Sequence, residues 1–272
     1  MLGFSRKQTA VTLGVLLFLG LSGWWLTLQL MEAPSDFALE LFSGVYGVMA
    51  LFGAVVGFKL SKEWGGRKSY VGRAIIMFAL GLLAQEFGQI TYSLYTLIFE
   101  QEIPYPSIGD IGYFGSIFFY IYGVWLLGKA VGAKYSIQSL GSKLLVVLIP
   151  AAVLAVSYWF FLREYEFDWS NPLTVFLDFG YPLGQAIYLS LAILVFTLSR
   201  KYLGGVMRPV ILFLLFALAV QYVADFMFLY QTYHETWTTA GANDYVYLVA
   251  YFLMTVALLR FKFVANTIRA SE

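Results

Sequence analysis

Residues 108–129 read IGDIGYFGSIFFYIYGVWLLGK, with one acid at the start, one lysine at the end and only apolar, small or aromatic residues between them. As a helix rising 1.5 Å per residue, the stretch from Asp110 to Lys129 is roughly 28 Å long, close to the ~30 Å hydrocarbon core of a bilayer. The segment therefore reads as a membrane span with an acidic end and a basic end. Seven further stretches read the same way. The spans are predicted at about residues 9–31, 37–59, 72–99, 108–129, 142–163, 173–199, 207–232 and 243–264. The composition agrees: the chain is 60% hydrophobic and 12% charged, with a mean hydropathy of +0.76. Soluble domains carry roughly twice that charge.

The first apolar stretch follows Arg6 and Lys7, as a signal peptide would. It runs from about Val11 to Met31 without an obvious small-residue cleavage site, and it reads as a retained helix. Charge then orients the bundle. Lys59, Lys62, Arg67, Lys68 and Arg73 lie between spans two and three, and Lys129, Lys134 and Lys143 between four and five. Arg200, Lys201 and Arg208 lie between six and seven, and Arg260, Lys262 and Arg269 follow span eight. The opposite connections carry Glu32, Asp36, Glu100, Glu102, Glu164, Glu166, Asp168 and Glu235, with Arg163 as the one base among them. The positive-inside rule predicts that both termini are cytoplasmic. Trp24, Trp25, Trp159, Trp169 and Trp237 fall near the outer boundary as an interfacial aromatic belt. No segment outside the spans is large enough for a soluble domain. Any cytoplasmic output is expected to pass through a partner protein.

The acids repeat. Glu40, Asp110, Asp178 and Asp244 each open an outward-starting helix, and the last three share Asp110-Ile-Gly-Tyr113, Asp178-Phe-Gly-Tyr181 and Asp244-Tyr-Val-Tyr247. In the first unit Ser43 stands where the tyrosine would be. Gln85-x-x-x-Gln89 in span three also matches Gln221-x-x-x-Asp225 in span seven. We read one all-α polytopic membrane domain, residues 1–272, of eight transmembrane helices built as four helix-hairpin repeats. Halves at 1–135 and 136–272 are the alternative division. On a helix, positions i and i+3 share a face, so each Asp and its Tyr can face one neighbour. The plainer alternative is that acids favour helix starts through the helix dipole, which contributes about 0.3–1 kcal/mol.

Depth separates the candidates. Asp225 lies roughly 25 Å from Arg208 along its helix, and Glu86 roughly 20 Å from Arg73, near the midplane. An ionisable group inside a span costs about 2.5–3.5 kcal/mol on insertion scales and marks a functional site by default. The chain has no intramembrane Lys or Arg to pair with either acid, so glutamines and tyrosines are their available neighbours. The alternative is a neutral carboxyl that joins helices by hydrogen bonding.

The absences narrow the chemistry. With no cysteine there is no disulfide, thiolate metal site, iron–sulfur ligation or cysteine nucleophile. His234 is the one histidine, which leaves histidine-based zinc or haem ligation without ligands. A retinal Schiff base lacks its lysine. Acids could hold Ca²⁺ or Mg²⁺, but no dense loop motif supports a metal site. Ser107-Ile-Gly-Asp110 resembles an aspartyl-protease signature only superficially. No catalytic residue, cofactor or metal is assigned, and a net charge of +1 gives no argument for nucleic acid.

The segment Tyr105-Pro-Ser-Ile-Gly-Asp-Ile-Gly-Tyr113 resembles a motif of the multi-spanning membrane sensor regions of some bacterial diguanylate cyclases and archaeal histidine kinases, commonly Tyr-Pro-Ser-x-Ala-Asp-x-x-Tyr. Leu177-Asp-Phe-Gly-Tyr-Pro-Leu-Gly184, Val223-Ala-Asp-Phe-Met-Phe-Leu-Tyr230 and Ala242-Asn-Asp-Tyr-Val-Tyr-Leu248 are similar to the same regions, in the same order. Gln185 stands where those regions often have an acid, and their cytoplasmic catalytic domain has no counterpart here. The resemblance implies an eight-helix input module, without cyclase or kinase activity.

The expectation is thus a plasma-membrane sensor or receptor-like module rather than an enzyme. It would bind a small amphiphile, cation or lipid headgroup in an outer-leaflet pocket and signal through a cytoplasmic or membrane partner. The expected ligand-binding residues are Glu86, Asp110, Tyr113, Asp178, Tyr181, Gln221, Asp225, Asp244 and Tyr247. A transporter using Glu86 and Asp225 as protonatable coupling groups is the second reading, since parallel repeats with midplane acids fit it. An integral-membrane lipid enzyme is the third.

Overall fold

The computed structural model describes residues 6–131, 140–163, 165, 169–199 and 207–271. Lys134, Glu164, Glu166, Asp168, Arg200 and Lys201 lie outside the described residues. The described chain is all-α, with α1 at Arg6–Leu30, α2 at Asp36–Val45, α3 at Val48–Glu63, α4 at Tyr70–Ser93 and α5 at Gly109–Ala130. They are followed by α6 at Leu140–Ser157, α7 at Pro172–Ser199, α8 at Met207–Tyr233 and α9 at Ala242–Ser271. Eight helical segments are long and apolar enough to cross a membrane, with α2 and α3 together making one of them.

That second segment is continuous in hydropathy but not in hydrogen bonding. The helix is interrupted at Tyr46–Gly47, and α4 supplies side chains to the carbonyls left there. Gln89 donates Nε2 to Ser43 O, and Ser93 donates Oγ to Gly44 O at 3.0 Å. A broken helix is tolerated at membrane depth where protein groups satisfy its backbone in this way. Further along, α4 and α6 each end in one wider turn, Leu94–Ile98 and Tyr158–Leu162. Pro182 sits inside an unbroken α7.

Helices α3, α4, α5, α7, α8 and α9 form a closed ring. Each packs against the next, and α9 returns to α3. Helices α1 and α6 lie outside it. Of the most apolar window of each, only 17% of α1 and 6% of α6 is buried, against 44–61% for the other six segments. The exposed leucines and valines of α1 and α6 are therefore the surface that lipid would cover. Small residues let the ring close, because they admit a neighbouring helix where a side chain would hold it off. Gly53 faces Thr255 and Leu82, and Gly57 faces Ala79 and Leu258, which wedges α3 between α4 and α9. Gly180 and Gly184 face Phe114 and Ile117 in the same manner, joining α7 to α5.

The two ends of the ring differ. At the basic end its axis is filled by fully buried Ile75, Phe78, Leu82, Leu126, Leu127, Ile211, Leu258 and Phe261. There Trp64 Nε1 donates to Phe261 O at 3.1 Å, and Lys129 lies 3.7 Å from the centroid of the Trp125 ring. At the acidic end the ring opens into a cavity. A hub of hydrogen bonds pins the periphery there. Ala240, with φ 54, donates its N–H to Ser43 Oγ at 2.8 Å and Asp244 Oδ2 at 2.9 Å. Its carbonyl accepts from Trp25 Nε1 at 2.9 Å and Gln29 Nε2 at 3.0 Å. An alanine in left-handed backbone conformation costs of order 1 kcal/mol or more, and these four bonds hold it there.

Candidate functional site

The site is a cavity of about 780 Å³ at the acidic end of the ring. Three ring helices contribute one stripe each, at positions i, i+3, i+7 and i+10 from an aspartate. On α5 the stripe is Asp110, Tyr113, Ile117 and Tyr120. On α7 it is Asp178, Tyr181, Gln185 and Tyr188. On α9 it is Asp244, Tyr247 and Tyr251, with buried Met254 in the fourth place. That spacing keeps side chains on one face of a helix. The facing wall comes from α4 and α8 with Gln85, Gln89, Tyr92 and Asp225, and from α2 with Ser43. All four aspartates thus line one cavity. Among its described lining residues there is no Lys, Arg or His.

The tyrosine three residues after the aspartate in each stripe donates across to a different helix instead of back to that aspartate. Tyr113 donates to Gln89 Oε1 at 3.2 Å, Tyr181 to Asp110 Oδ1 at 2.7 Å, and Tyr247 to Asp225 Oδ1 at 2.9 Å. Ser43, at the tyrosine position of the first unit, donates to Asp244 Oδ2 at 2.6 Å. Asp225 collects two more donors, Gln221 Nε2 at 3.1 Å and Tyr188 OH at 3.2 Å. Asp110 also accepts from the Ser107 N–H at 2.7 Å. Deeper, Tyr251 donates to Gln85 Oε1 at 3.1 Å, and Gln85 Nε2 donates to Ser116 Oγ at 2.8 Å. The carboxylates are therefore hydrogen-bonded but have no basic partner within the described wall.

A loop crosses the mouth. Ile103, Pro104, Tyr105 and Ser107 line the cavity, and Tyr105 reaches α7 to donate to Asp178 Oδ1 at 2.6 Å. Tyr165, from the next acidic-end connection, donates to the other oxygen of the same carboxylate at 2.7 Å. The Tyr105 ring is half exposed, but its hydroxyl is turned onto Asp178. Burial of that group, and the carboxylate it bonds, push the phenol above its ordinary range, so it stays a donor at any neutral pH. Asp178 is thus the point where two loops are fastened over the opening.

Of the nine residues expected at the site, Asp110, Tyr113, Asp178, Tyr181, Asp225, Asp244 and Tyr247 line the cavity. Gln221 stands behind the wall and acts on it only through Asp225. Glu86 is buried but is not among the residues that line the cavity. One residue of helix turns the side chain by ~100°, so with Gln85 and Gln89 facing the cavity, Glu86 is directed at α2–α3. Its Oε2 lies against Gly47 at the helix interruption and has no hydrogen-bond partner. Glu40 is also absent from the wall. Tyr120, Tyr188 and Tyr251 were not expected there, although the seven- and ten-residue spacing from each aspartate carries the signal. Tyr105 and Tyr165 have no such signal, since they arrive from loops.

Ser43 offers a direct test of the wall. It is fully buried, donates to Asp244 and accepts from Ala240, so Ser43→Ala removes both bonds and leaves the Ala240 N–H and Asp244 Oδ2 with only each other. The expected loss is about 1–3 kcal/mol of stability, read by thermal unfolding in nanodiscs. A loss below about 0.5 kcal/mol would mean that the hub does not fasten α2 to α9.

The chain matches no protein-family model, no curated protein and no solved structure.

Proposed function

We propose that this chain is a receptor-like module of the plasma membrane whose cavity takes a small cationic, partly apolar molecule from the outer side. One observation carries the reading: four aspartates on four helices line one cavity with no basic residue in its described wall. Carboxylates grouped away from bulk water need a compensating charge, and a bound cation supplies it. The tyrosines suit the rest of such a molecule. Their rings offer apolar area, and a cation over a desolvated aromatic face gains about 2 kcal/mol. The positive-inside rule places this end outside and both termini in the cytoplasm.

The repeat is supported by the site's own bonds. Pairing α2–α3 with α7, α4 with α8 and α5 with α9 matches Ser43→Asp244 to Tyr181→Asp110. It also matches Tyr113→Gln89 to Tyr247→Asp225. Occupancy would draw α5, α7, α8 and α9 together around the ligand, and a partner at the basic end would read the change in ring packing. The resemblance to sensor input regions points the same way.

Sensing is preferred to transport because apolar side chains fill the ring below the cavity. Transport keeps one observation in its favour: buried Glu86 has an unpaired oxygen beside an interrupted helix, a device of secondary transporters. Calorimetric titration of the full chain in nanodiscs with 2-phenoxyethylammonium, its N,N,N-trimethyl analogue and phenoxyacetate decides the first point. Both cations are expected to bind and the anion is not. Failure of both cations sinks the reading. Uptake of either cation into proteoliposomes driven by a proton gradient would move the assignment to the transporter.

A further inference from the structure

Three polar atoms in the wall of the cavity are buried and have no hydrogen-bond partner: Tyr120 OH, Asn243 Oδ1 and Trp237 Nε1. Tyr120 and Asn243 are each 1% exposed. Unpaired buried polar atoms are rare in native proteins, and each calls for an occupant. Two of them stand around Asp225. The Tyr120 ring meets Tyr188 edge-on at 6.0 Å, and Tyr188 is the donor to Asp225 Oδ2. Asn243 is fixed by its Nδ2, which donates at 2.8 Å to the carbonyl of Ala224, the residue before Asp225. The amide is thereby oriented, and its oxygen is the end left over. Asp225 Oδ1 already accepts two bonds, from Tyr247 and Gln221, whereas Oδ2 accepts one.

Three acceptor oxygens with bonding capacity left therefore belong to the wall near Asp225: Asp225 Oδ2, Asn243 Oδ1 and the Tyr120 oxygen. A primary ammonium has three N–H donors and no acceptor. From this match, and resting on the cation-pocket reading above, we infer that the cavity is specific for a primary amine over a quaternary one. The Tyr120–Asp225–Asn243 corner is its ammonium subsite. A quaternary ammonium is held by aromatic faces and donates no hydrogen bond, so it would leave Asn243 and Tyr120 unsatisfied. The third free atom extends the inference. Trp237 Nε1 is a donor only, from the connection between α8 and α9, so the ligand carries a hydrogen-bond acceptor on its other side. The chemical class is an amine with a hydroxyl, ether or ester oxygen, either as a soluble molecule or as an ethanolamine-type lipid headgroup.

The test compares 2-phenoxyethylammonium with its N,N,N-trimethyl analogue by calorimetry, using the full chain in phosphatidylglycerol nanodiscs, whose headgroup has no amine. The primary amine is expected to bind at least about tenfold more tightly, the sum of two or more hydrogen bonds. Tyr120→Phe removes only an unpaired hydroxyl. It is expected to leave the thermal midpoint of the empty protein at or above its original value. It should weaken the primary amine roughly 2- to 10-fold, and the trimethyl analogue distinctly less. Equal affinities for the two cations, or equal losses on Tyr120→Phe, would overturn the subsite while the cation pocket stands. No binding of either cation would overturn the pocket itself. Adding phosphatidylethanolamine to the nanodiscs separates the sources. Competition with the amine marks a lipid headgroup as occupant, and unchanged affinity marks a soluble one.

Discussion

Asp225→Asn is expected to weaken binding of a cationic ligand by roughly 30-fold or more while the ring of helices still assembles. Asp225 is 8% exposed and accepts from Gln221 on its own helix, Tyr188 on α7 and Tyr247 on α9. Asparagine keeps its shape and one acceptor oxygen, so the cavity is retained. What disappears is the negative charge beside the ligand, together with one acceptor, which becomes a donor facing other donors. Removing one partner of a buried, hydrogen-bonded charge pair costs about 2–5 kcal/mol, and the lower bound corresponds to about 30-fold in affinity. Calorimetry with 2-phenoxyethylammonium measures it. Asp178→Asn, at the mouth and without that corner, should cost less affinity and act more on the rates of entry and exit, because it loosens Tyr105 and Tyr165. A loss below threefold on Asp225→Asn would remove this carboxylate from the binding site.

Gly112→Ala is expected to be strongly destabilising. A Cβ at position 112 would press on the carbonyl of Ala84 and come within 2.8 Å of Gly88 N and Phe87 Cδ1. Two of those three atoms are backbone of α4, so no rotamer change relieves the contact, and α4 and α5 have to separate. Overpacking of this kind costs about 1–3 kcal/mol, and more where backbone has to move. We expect a lower thermal midpoint and loss of the monodisperse species on size exclusion. Gly115→Ala is the control, because nothing lies within 4 Å of a Cβ built there. That change should be neutral or stabilising by up to about 1 kcal/mol, as alanine is the better helix former. Equal behaviour of the two variants would refute close packing of α4 on α5 as the reason for Gly112.

The spans were legible because apolar length alone marks a membrane helix, and residues 108–129 show it without help from any neighbour. The interruption at Tyr46–Gly47 was not, because it falls within one apolar run and depends on Gln89 and Ser93 arriving from α4. Nor was the ring order, since the α3–α9 and α5–α7 contacts join segments far apart in sequence. At the site, which acids fall within apolar spans was legible and rotation was not. Asp225 and Glu86 are both acids inside spans, but one residue of rotation puts Gln85 into the cavity and Glu86 against Gly47. Asp110, Asp178 and Asp244 stood out through their shared Asp-x-x-Tyr spacing. The acceptors of their tyrosines were not legible, since a shared i, i+3 face does not say which neighbouring helix it meets, and those acceptors belong to other helices. Tyr120 and Tyr188 complete stripes whose first two members were in view. Asn243 and Trp237 could be found only from their unpaired atoms.

Closure of the ring between α3 and α9 has a consequence for biogenesis. Ser43, Trp25 and Gln85 belong to the first spans made by the ribosome, yet their partners Asp244, Ala240 and Tyr251 all belong to α9 or the turn before it. Until α9 is inserted, the Ser43 hydroxyl and the Trp25 indole lack the partners they have in the finished ring, while Gln85 has only Ser116. Seven inserted spans are therefore an unfinished object of the kind that membrane chaperones retain and quality-control proteases remove. Completion of the cavity and insertion of the last span become one event.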